Sequence, residues 1–247
     1  MTVSGRFFIK MKYFKYPIAR GVTAITTTIE IGNMAFHLPD DPLLIEQRRK
    51  EVAKDLNVEP FNLIFTHQTH GDVIQEVTSR DIGKGSFSFE EGIEADALYT
   101  KEKGLAIGIF HADCVPIFIY DPTVPLVGII HAGFPGTLKH IAFKAIKHVI
   151  LHEGLSPENI RVYIGPARRK ASYQLNQMQK EEVIYAGCPL FDDYFDMVES
   201  NKFDLLCAGI AQSNINDINV DTAQDPRCYS SYIKTPAGRM ASLILLK

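Results

Sequence analysis

The sequence has little net charge and no long block of charge of one sign. Its 247 residues include 26 Lys and Arg against 29 Asp and Glu, a formal net charge of -3 at pH 7. The longest basic runs are the short stretches Arg48-Arg49-Lys50 and Arg168-Arg169-Lys170. A polyanion needs a concentrated positive surface, so we expect no nucleic-acid partner.

Long apolar runs are also missing. Residues 1–15 mix basic and aromatic side chains and lack the apolar core of a secretory signal. The two most apolar segments, residues 104–120 and 124–132, are interrupted by His, Asp or Pro before either could cross a bilayer as a helix. We therefore expect a cytoplasmic protein with no membrane partner.

The four cysteines show no paired short spacing. They are Cys114, Cys188, Cys207 and Cys228. This pattern does not fit a disulfide framework or a Cys-x-x-Cys zinc module. We expect most of these thiols to be reduced, and all but Cys114 to be structural.

The sequence does contain a core-forming composition with alternating strand and helix patterns. Hydrophobic residues make up 46% of the chain and charged residues 22%, which suits one large domain over residues 1–247. The predicted strands lie at residues 22–31, 62–65, 72–75, 104–110, 117–120, 126–130, 160–164 and 240–246. The predicted helices lie at residues 43–56, 136–154, 179–186 and 203–213. This alternation predicts an α/β fold.

Three residues with metal-binding side chains stand beside these apolar strands. His70 lies in or beside a turn, Cys114 lies between two predicted strands, and His131 follows a third strand and opens a predicted strand-to-helix loop. Two imidazoles and one thiolate suit a catalytic zinc with an open fourth position. Each residue alone would be more ordinary as a packed histidine or an inert thiol. The zinc hypothesis depends on all three sharing one site.

Six short motifs follow one another along the chain. They are His-Gln-Thr-His-Gly at 67–71, Glu-Ala-Asp-Ala-Leu at 94–98, His-Ala-Asp-Cys-Val-Pro at 111–116, His-Ala-Gly-Phe-Pro-Gly at 131–136, Ile-Gly-Pro-Ala at 164–167 and Gly-Arg-Met-Ala-Ser at 238–242. In this order they resemble the laccase-domain family, also described as polyphenol-oxidase-like and as purine nucleoside phosphorylases. The resemblance runs from about Val22 to the C-terminus. It implies a single-domain, layered α/β sandwich with a mixed sheet, similar to the fold of deamidating toxins and other cysteine hydrolases.

The resemblance also implies an activity and a metal. It makes His70, Cys114 and His131 the zinc ligands and the catalytic residues, with a purine nucleoside and phosphate as partners. Family members are reported to cleave adenosine, inosine, guanosine or methylthioadenosine with phosphate, and some also deaminate adenosine. Older descriptions assign copper-dependent oxidation of phenols. A laccase needs many more histidine ligands, and no His-x-His pair occurs here, so we expect zinc rather than copper.

The two reactions ask different things of the site. Phosphorolysis develops oxocarbenium character at the sugar, so phosphate must be held close to that carbon. Deamination needs an activated water, and a zinc ion would lower the pKa of that water toward ~7.

The chain departs from the family pattern where anions would bind. The usual Trp-Arg-Gly after His-Ala-Gly is Phe134-Pro135-Gly136, and the usual Ser-Tyr-Arg-Arg is Ser231-Tyr232-Ile233-Lys234. A family carboxylate is also replaced by Gln174. Lost guanidinium donors should weaken phosphate binding, because proline offers no donor and lysine offers only a point charge.

Other cations and polar groups could take over these contacts. We predict substrate contacts for Arg48, Lys234 and Gln68, with Arg168 and Arg169 as further compensating cations. Asp96 and Asp113 could orient a ligating imidazole or a water, although ordinary turn or capping roles fit them equally well. For His111 we expect a hydrogen-bonded histidine near the metal rather than a ligand, and for Arg239 a bond to backbone carbonyls is as good a prediction as a ligand contact.

Two alternatives stay open on the sequence alone. One is a metal-free cysteine hydrolase in which Cys114 is the nucleophile and His131 or His70 its base. The other is a divergent family member that has lost catalysis and binds a nucleotide or a protein partner. We expect a monomer or a small homo-oligomer.

Overall fold

Two mixed β-sheets lie face to face and carry helices on their outer surfaces. The structure is a computed structural model that describes residues 11–191, 193–233 and 235–247. The strands are β1 (Tyr13–Tyr16), β2 (Val22–Thr27), β3 (Leu63–Phe65), β4 (Ile74–Glu76), β5 (Ala97–Thr100), β6 (Ala106–His111), β7 (Val115–Asp121), β8 (Leu126–Ala132), β9 (Arg161–Ile164), β10 (Leu190–Phe191), β11 (Tyr194–Phe195), β12 (Ile215–Asp217) and β13 (Met240–Leu246). The helices are α1 (Pro42–Leu56), α2 (Phe134–Leu138), α3 (Ile141–Glu153), α4 (Gln177–Tyr185) and α5 (Met197–Cys207).

Each of the two large sheets combines parallel and antiparallel pairs. The first has the order β1-β2-β13-β6-β3, and the second has the order β12-β9-β7-β8-β5-β4. The pairs β3–β6, β4–β5 and β12–β9 are parallel, whereas the other pairs within these sheets are antiparallel. Strands β10 and β11 form a separate hairpin. The predicted α/β sandwich with mixed pairing is confirmed.

The central strands are almost continuously apolar because both of their faces are covered. In β8, Val127 and Ile129 pack between the two sheets, while Leu126 and Ile130 pack toward α3. Helix α1 covers the outer face of the first sheet through Val52 and its neighbours. His131 continues the inter-sheet side of β8, because it follows Ile129 by two residues.

Helix α1 forms where the sequence predicts it. The Asp41 side chain accepts a hydrogen bond from the backbone N–H of Leu43 at 2.9 Å, and Pro42 occupies the first helical position. Asn57 ends the helix in the left-handed conformation, with φ 60°. None of the helices in the described ranges combines the length and apolar character needed to span a lipid bilayer.

Two helix predictions need correction. The helix predicted at 136–154 stops at Gly154 as expected, but it is divided into α2 and α3. The division occurs because His140 takes φ 57° and directs its ring nitrogens to Asp204 Oδ1 and the Ala186 carbonyl, each at 2.8 Å. The helix predicted at 203–213 instead spans α5, which begins after the Asp196 cap and ends before Gly209, a residue with φ 103°. The apolar pattern located this helix but misplaced its ends.

Five strands were not predicted at all: β1, β5, β10, β11 and β12. All five are short, and β12 lies at an edge of the second sheet. Strand β5 matters most, because it places Asp96, the residue before it, directly beside His131 on β8.

Candidate metal centre and cavity

Three chain segments converge at one end of the inter-sheet layer. His70 lies in the connection between β3 and β4, Cys114 lies in the tight turn between β6 and β7, and His131 lies near the end of β8. The ligand atoms of these side chains all lie within 4.8 Å of one another. The structure therefore brings together the three residues that the sequence singled out.

The Asp96 carboxylate organises two of these segments. Its Oδ1 atom accepts a hydrogen bond from His131 Nδ1 at 2.8 Å, which leaves Nε2 as the nitrogen available to a metal. Its Oδ2 atom accepts from the backbone N–H of Gly71 at 2.7 Å, and Oδ1 accepts from the N–H of His70 at 3.2 Å. His70 itself has φ 58°, so this strained turn is stabilised by the buried carboxylate.

The charges in this group favour the thiolate. Burial raises the pKa of Cys114, but His131 and His70 lower it more strongly, to about 6. Burial lowers the pKa of His131, but the Cys114 thiolate and Asp96 raise it to about 9. For Asp96, burial acts upward, while the bond from His131 holds the pKa below its usual range. A deprotonated thiol at neutral pH is what metal ligation requires, and it is also what a nucleophile requires.

The donor set and the space between the donors fit a tetrahedral metal ion. Ligands at 2.0–2.3 Å from zinc lie roughly 3.3–3.8 Å apart, so donors within 4.8 Å need only small adjustments. Gly133 lies against the group, and a Cβ atom there would be 2.7 Å from His70 Cδ2 and 3.2 Å from Cys114 Sγ. Among the described residues, only this group of three or more His, Cys, Asp or Glu side chains could hold a metal.

The three ligands open into a cavity of about 490 Å³. Its aromatic wall consists of Phe89, Phe110, Phe134 and Tyr173, with His37 packed on Phe89 at 4.5 Å between ring centroids. Burial, reinforced by Arg239, lowers the pKa of His37 to about 4. This ring is therefore neutral at pH 7 and adds to the apolar and aromatic surface.

Two guanidinium groups and one carboxylate give the cavity its charge. Arg168 and Arg239 both contribute to the wall. Asp113 also lines the cavity, but its carboxylate accepts hydrogen bonds from Thr222 Oγ1 at 2.8 Å, Ser230 Oγ at 2.7 Å and the Tyr232 N–H at 3.0 Å. Asp113 thus holds the 230–232 segment over the cavity.

The predicted substrate residues lie in three different situations. The Gln68 side chain lines the cavity, but its amide donates to the Phe110 carbonyl at 2.7 Å and accepts from the Phe110 N–H at 2.6 Å. Arg48 lies outside the cavity, where it binds Asp40 Oδ2 at 2.6 Å and the Asn33 carbonyl at 3.0 Å. Lys234 lies outside the described residues.

The remaining candidates are also placed. His111 is buried, and its Nε2 atom lies 2.8 Å from Ser242 Oγ. Burial lowers the pKa of His111 to about 3, so the ring is neutral. Arg169 lies away from the cavity in an ion pair with Asp217. Gln174 pairs with Tyr194 through an isolated backbone bridge.

Sequence reasoning did not single out Phe89, Met197 or the packing of His37 at the cavity. These residues belong to segments without a chemical motif, and they reach the site only through long-range packing. No spacing signal in the sequence could have indicated them.

Known proteins resemble this chain in sequence over most of its length. The family described as "Multi-copper polyphenol oxidoreductase laccase" matches residues 19–247. Purine nucleoside phosphorylase YlmD of Bacillus subtilis (strain 168) is 31% identical over 229 residues, covering 87% of this chain and 82% of that protein. Purine nucleoside phosphorylase YlmD of Geobacillus stearothermophilus is 32% identical over 194 residues, covering 74% of this chain and 71% of that protein.

Two solved structures share the fold across nearly the whole chain. The crystal structure of YlmD from Geobacillus stearothermophilus has a TM-score of 0.86 and 29% identity, covering 92% of both chains. The crystal structure of the Bacillus licheniformis hypothetical protein YfiH has a TM-score of 0.85 and 30% identity, covering 92% of this chain and 94% of that chain. The resemblance deduced from the six motifs is confirmed: this chain belongs to the laccase-like family that includes YfiH and YlmD.

Proposed function

We propose that this protein is a zinc-dependent purine nucleoside phosphorylase. The observation that carries the proposal is the convergence of His70, Cys114 and His131 on one cavity, with Asp96 fixing the orientation of His131. The names of the curated relatives support the same activity. Adenosine, inosine, guanosine and methylthioadenosine are the proposed substrates, together with inorganic phosphate in the cytoplasm.

The cavity has the size and chemistry for these two reactants. Small-molecule sites span roughly 300–1,000 Å³ and combine apolar walls with a few polar groups, and this cavity measures about 490 Å³. Phe89 and Phe134 offer faces on which a purine can pack. Arg168 and Arg239 supply positive charge for an anion.

The reaction consists of one substitution at the sugar. A phosphate oxygen forms a bond to the anomeric carbon, the bond from that carbon to the purine nitrogen breaks, and the purine takes up a proton. When bound by His70, Cys114 and His131, zinc supplies a Lewis acid at the cavity floor. Asp96 keeps His131 and the 69–71 turn in place, and the aromatic wall excludes water that would compete with phosphate. Deamination of adenosine would be a separate reaction in the same cavity, in which a water oxygen bonds to C6 of the purine and the bond from C6 to the amino nitrogen breaks, releasing ammonia.

The test is the phosphate dependence of nucleoside cleavage. Purified protein with inosine should release hypoxanthine and ribose 1-phosphate only when inorganic phosphate is present. Replacing Cys114 by alanine should abolish the release, whereas alanine at the exposed Cys207 should leave it unchanged. Circular dichroism checks that both variants remain folded. Equal release with and without phosphate, or full activity in the Cys114 variant, would contradict the proposal.

A second candidate is favoured by one specific observation. Cys114, His131 and Asp96 stand in the order of a nucleophile, a base and an orienting carboxylate. In that case the Cys114 thiolate would form a thioester with an amide carbonyl carbon as the C–N bond breaks and the protonated amine leaves, and water would then hydrolyse the thioester, with no need for a metal. Iodoacetamide distinguishes the two: zinc should shield Cys114 until a chelator is added, whereas an activated free thiolate should react at once.

Multi-copper oxidation is not part of the proposal. The described part of the chain offers one group of three ligands, and a laccase must hold several copper ions. We therefore do not propose multi-copper oxidation for this site, although the family's description names it.

A further inference from the structure

We propose that Arg168 binds the inorganic phosphate in this cavity, and that Tyr173 and Tyr232 hold its guanidinium in position. This inference rests on the proposed phosphorolysis, because it names the residue that receives the anionic reactant. It concerns a side chain that none of the ligand motifs includes.

The chain path brings Arg168 close to the metal centre. After β9, residues 165–167 run across the end of the second sheet, and the backbone N–H of Arg168 donates to the Asp113 carbonyl at 2.9 Å. Asp113 immediately precedes Cys114. Arg168 and Cys114 line the same cavity, so an anion held by this guanidinium would lie in the chamber that the three ligands face.

Two aromatic rings fix the plane of the guanidinium. Its central carbon lies 4.3 Å from the centre of the Tyr173 ring and 4.0 Å from the centre of the Tyr232 ring. Such stacking restrains the group and leaves its edges for hydrogen bonds. Tyr173 is braced by Phe134 at 6.2 Å between ring centroids, and the Tyr232 backbone is held by Asp113 at 3.0 Å. The arginine is thus positioned before any ligand arrives.

One edge of the guanidinium is occupied and another is free. Nε donates to the Ser172 carbonyl at 2.7 Å, and Nη2 donates to the same oxygen. An arginine has five N–H groups, so these bonds leave the parallel pair at the Nη1–Nη2 edge. Nη1 donates to no residue in the ranges 11–191, 193–233 and 235–247. Two parallel N–H groups match two oxygens of a phosphate.

The charge of Arg168 has no neutralising partner in the described part of the chain. The neighbouring Arg169 differs, because it forms two hydrogen bonds with the Asp217 carboxylate at 2.8 and 2.6 Å. Arg168 instead bonds only to a carbonyl oxygen through its side chain and stacks on rings, although Asp113 lies nearby. Asp113 is already satisfied by Thr222, Ser230 and Tyr232. A positioned guanidinium without a counter-charge, facing a cavity, is suited to an anionic ligand.

The alternative is a purely structural Arg168 that holds the Ser172 carbonyl. Phosphate kinetics separate the two roles. We compare the wild type with Arg168→Gln, with the conservative Arg168→Lys, and with Arg161→Gln, which makes the same change on an exposed residue of β9. Initial rates of inosine cleavage are measured over a phosphate series at saturating inosine, and melting temperatures over the same series.

The expected result is a selective loss of phosphate affinity. Removing a charge-assisted bidentate contact should raise the KM for phosphate by about 10- to 100-fold in Arg168→Gln, with a much smaller change in kcat at saturating phosphate. Arg168→Lys should recover part of the loss, and Arg161→Gln should match the wild type. Tyr232→Leu should raise the phosphate KM by roughly 2- to 5-fold, and Tyr232→Phe should restore it.

The outcomes separate this inference from the proposed function. Phosphate-dependent cleavage with an unchanged phosphate KM in Arg168→Gln would overturn the role of Arg168 and leave the phosphorylase intact. If cleavage needs no phosphate, but phosphate still raises the melting temperature of the wild type and not of Arg168→Gln, the anion site stands and the phosphorylase fails. A wild type whose kinetics and melting temperature both ignore phosphate would overturn both.

Discussion

The Asp96 carboxylate has donors on both of its oxygens, which makes Asp96→Asn a sharp test of how the metal centre is built. Oδ1 accepts from His131 Nδ1 at 2.8 Å and from the His70 N–H at 3.2 Å. Oδ2 accepts from the Gly71 N–H at 2.7 Å and from the Thr69 N–H at 3.3 Å. In either orientation, the asparagine amide would place its NH₂ group against an existing donor.

The expected cost follows from these contacts. Hydrogen bonds to a charged acceptor contribute about 1.5–3 kcal/mol each, so losing one and opposing another should destabilise the fold by about 2–4 kcal/mol. For a chain of this length that corresponds to a decrease in Tm of about 5–15 °C. Because the amide can accept from His131 or from the Gly71 and Thr69 N–H groups but not from both sides, zinc affinity should decrease by about 10- to 100-fold. Thermal unfolding and competition with a chromophoric chelator measure the two effects.

Asp121→Asn is the matched control. Asp121 is also fully buried, but its Oδ1 alone accepts from Thr123 and Val124, and its Oδ2 has no partner among the described residues. An asparagine can keep these bonds and direct its NH₂ group to the unused side. Asp121→Asn should therefore leave zinc affinity unchanged. If Asp96→Asn also binds zinc like the wild type, the carboxylate does not organise the ligands and our account of this site is refuted.

Three further perturbations test neighbouring parts of the account. Gly133→Ala should keep the fold, because Gly133 has φ -78°. It should weaken zinc binding at least ~10-fold, because its Cβ would lie 2.7 Å from His70 Cδ2; a zinc titration measures this effect. Burial lowers the pKa of His140, but its bonds to Asp204 and to a backbone carbonyl raise it above the usual value. That stabilisation is complete below the unfolded pKa near ~6.5 and lost as the pH rises through the higher folded pKa. In urea unfolding from pH 6 to 9, the stability of the wild type relative to His140→Asn should therefore decrease as the pH rises. The buried Arg49 side chain donates hydrogen bonds to three backbone carbonyls. In Arg49→Met these carbonyls would lose their partners, so a melting experiment should show Tm lowered by more than about 6 °C.

The sequence was sufficient to predict the α/β class, because strands that are buried on both faces have continuous apolar sequences. Strands such as β7 and β8 read as continuous apolar runs, and helix α1 has its cap and proline in sequence. The ends of α5 and the division between α2 and α3 depend on tertiary contacts. His140 interrupts the helical pattern only because Asp204 and a carbonyl of α4's C-cap lie beside it.

The three candidate ligands were recognisable because each stands in a short motif at the end of an apolar strand. The residues that contact and orient these ligands were harder to predict. Asp96 was a candidate for orienting a ligating imidazole, but β5 was not recognised as a strand, so His131 could not be identified as its partner. Arg48 was predicted to contact the substrate, but its guanidinium is instead engaged by Asp40. Side-chain pairing of this kind depends on the folded path of the chain.

The measurement that tests the central claim most directly is the metal content of protein purified without added metal, determined by mass spectrometry beside the Cys114→Ala variant. Our account predicts about one zinc per chain in the wild type and little or none in the variant. A wild-type protein that contains no zinc, and whose Cys114 is rapidly alkylated, would contradict it and favour the cysteine hydrolase.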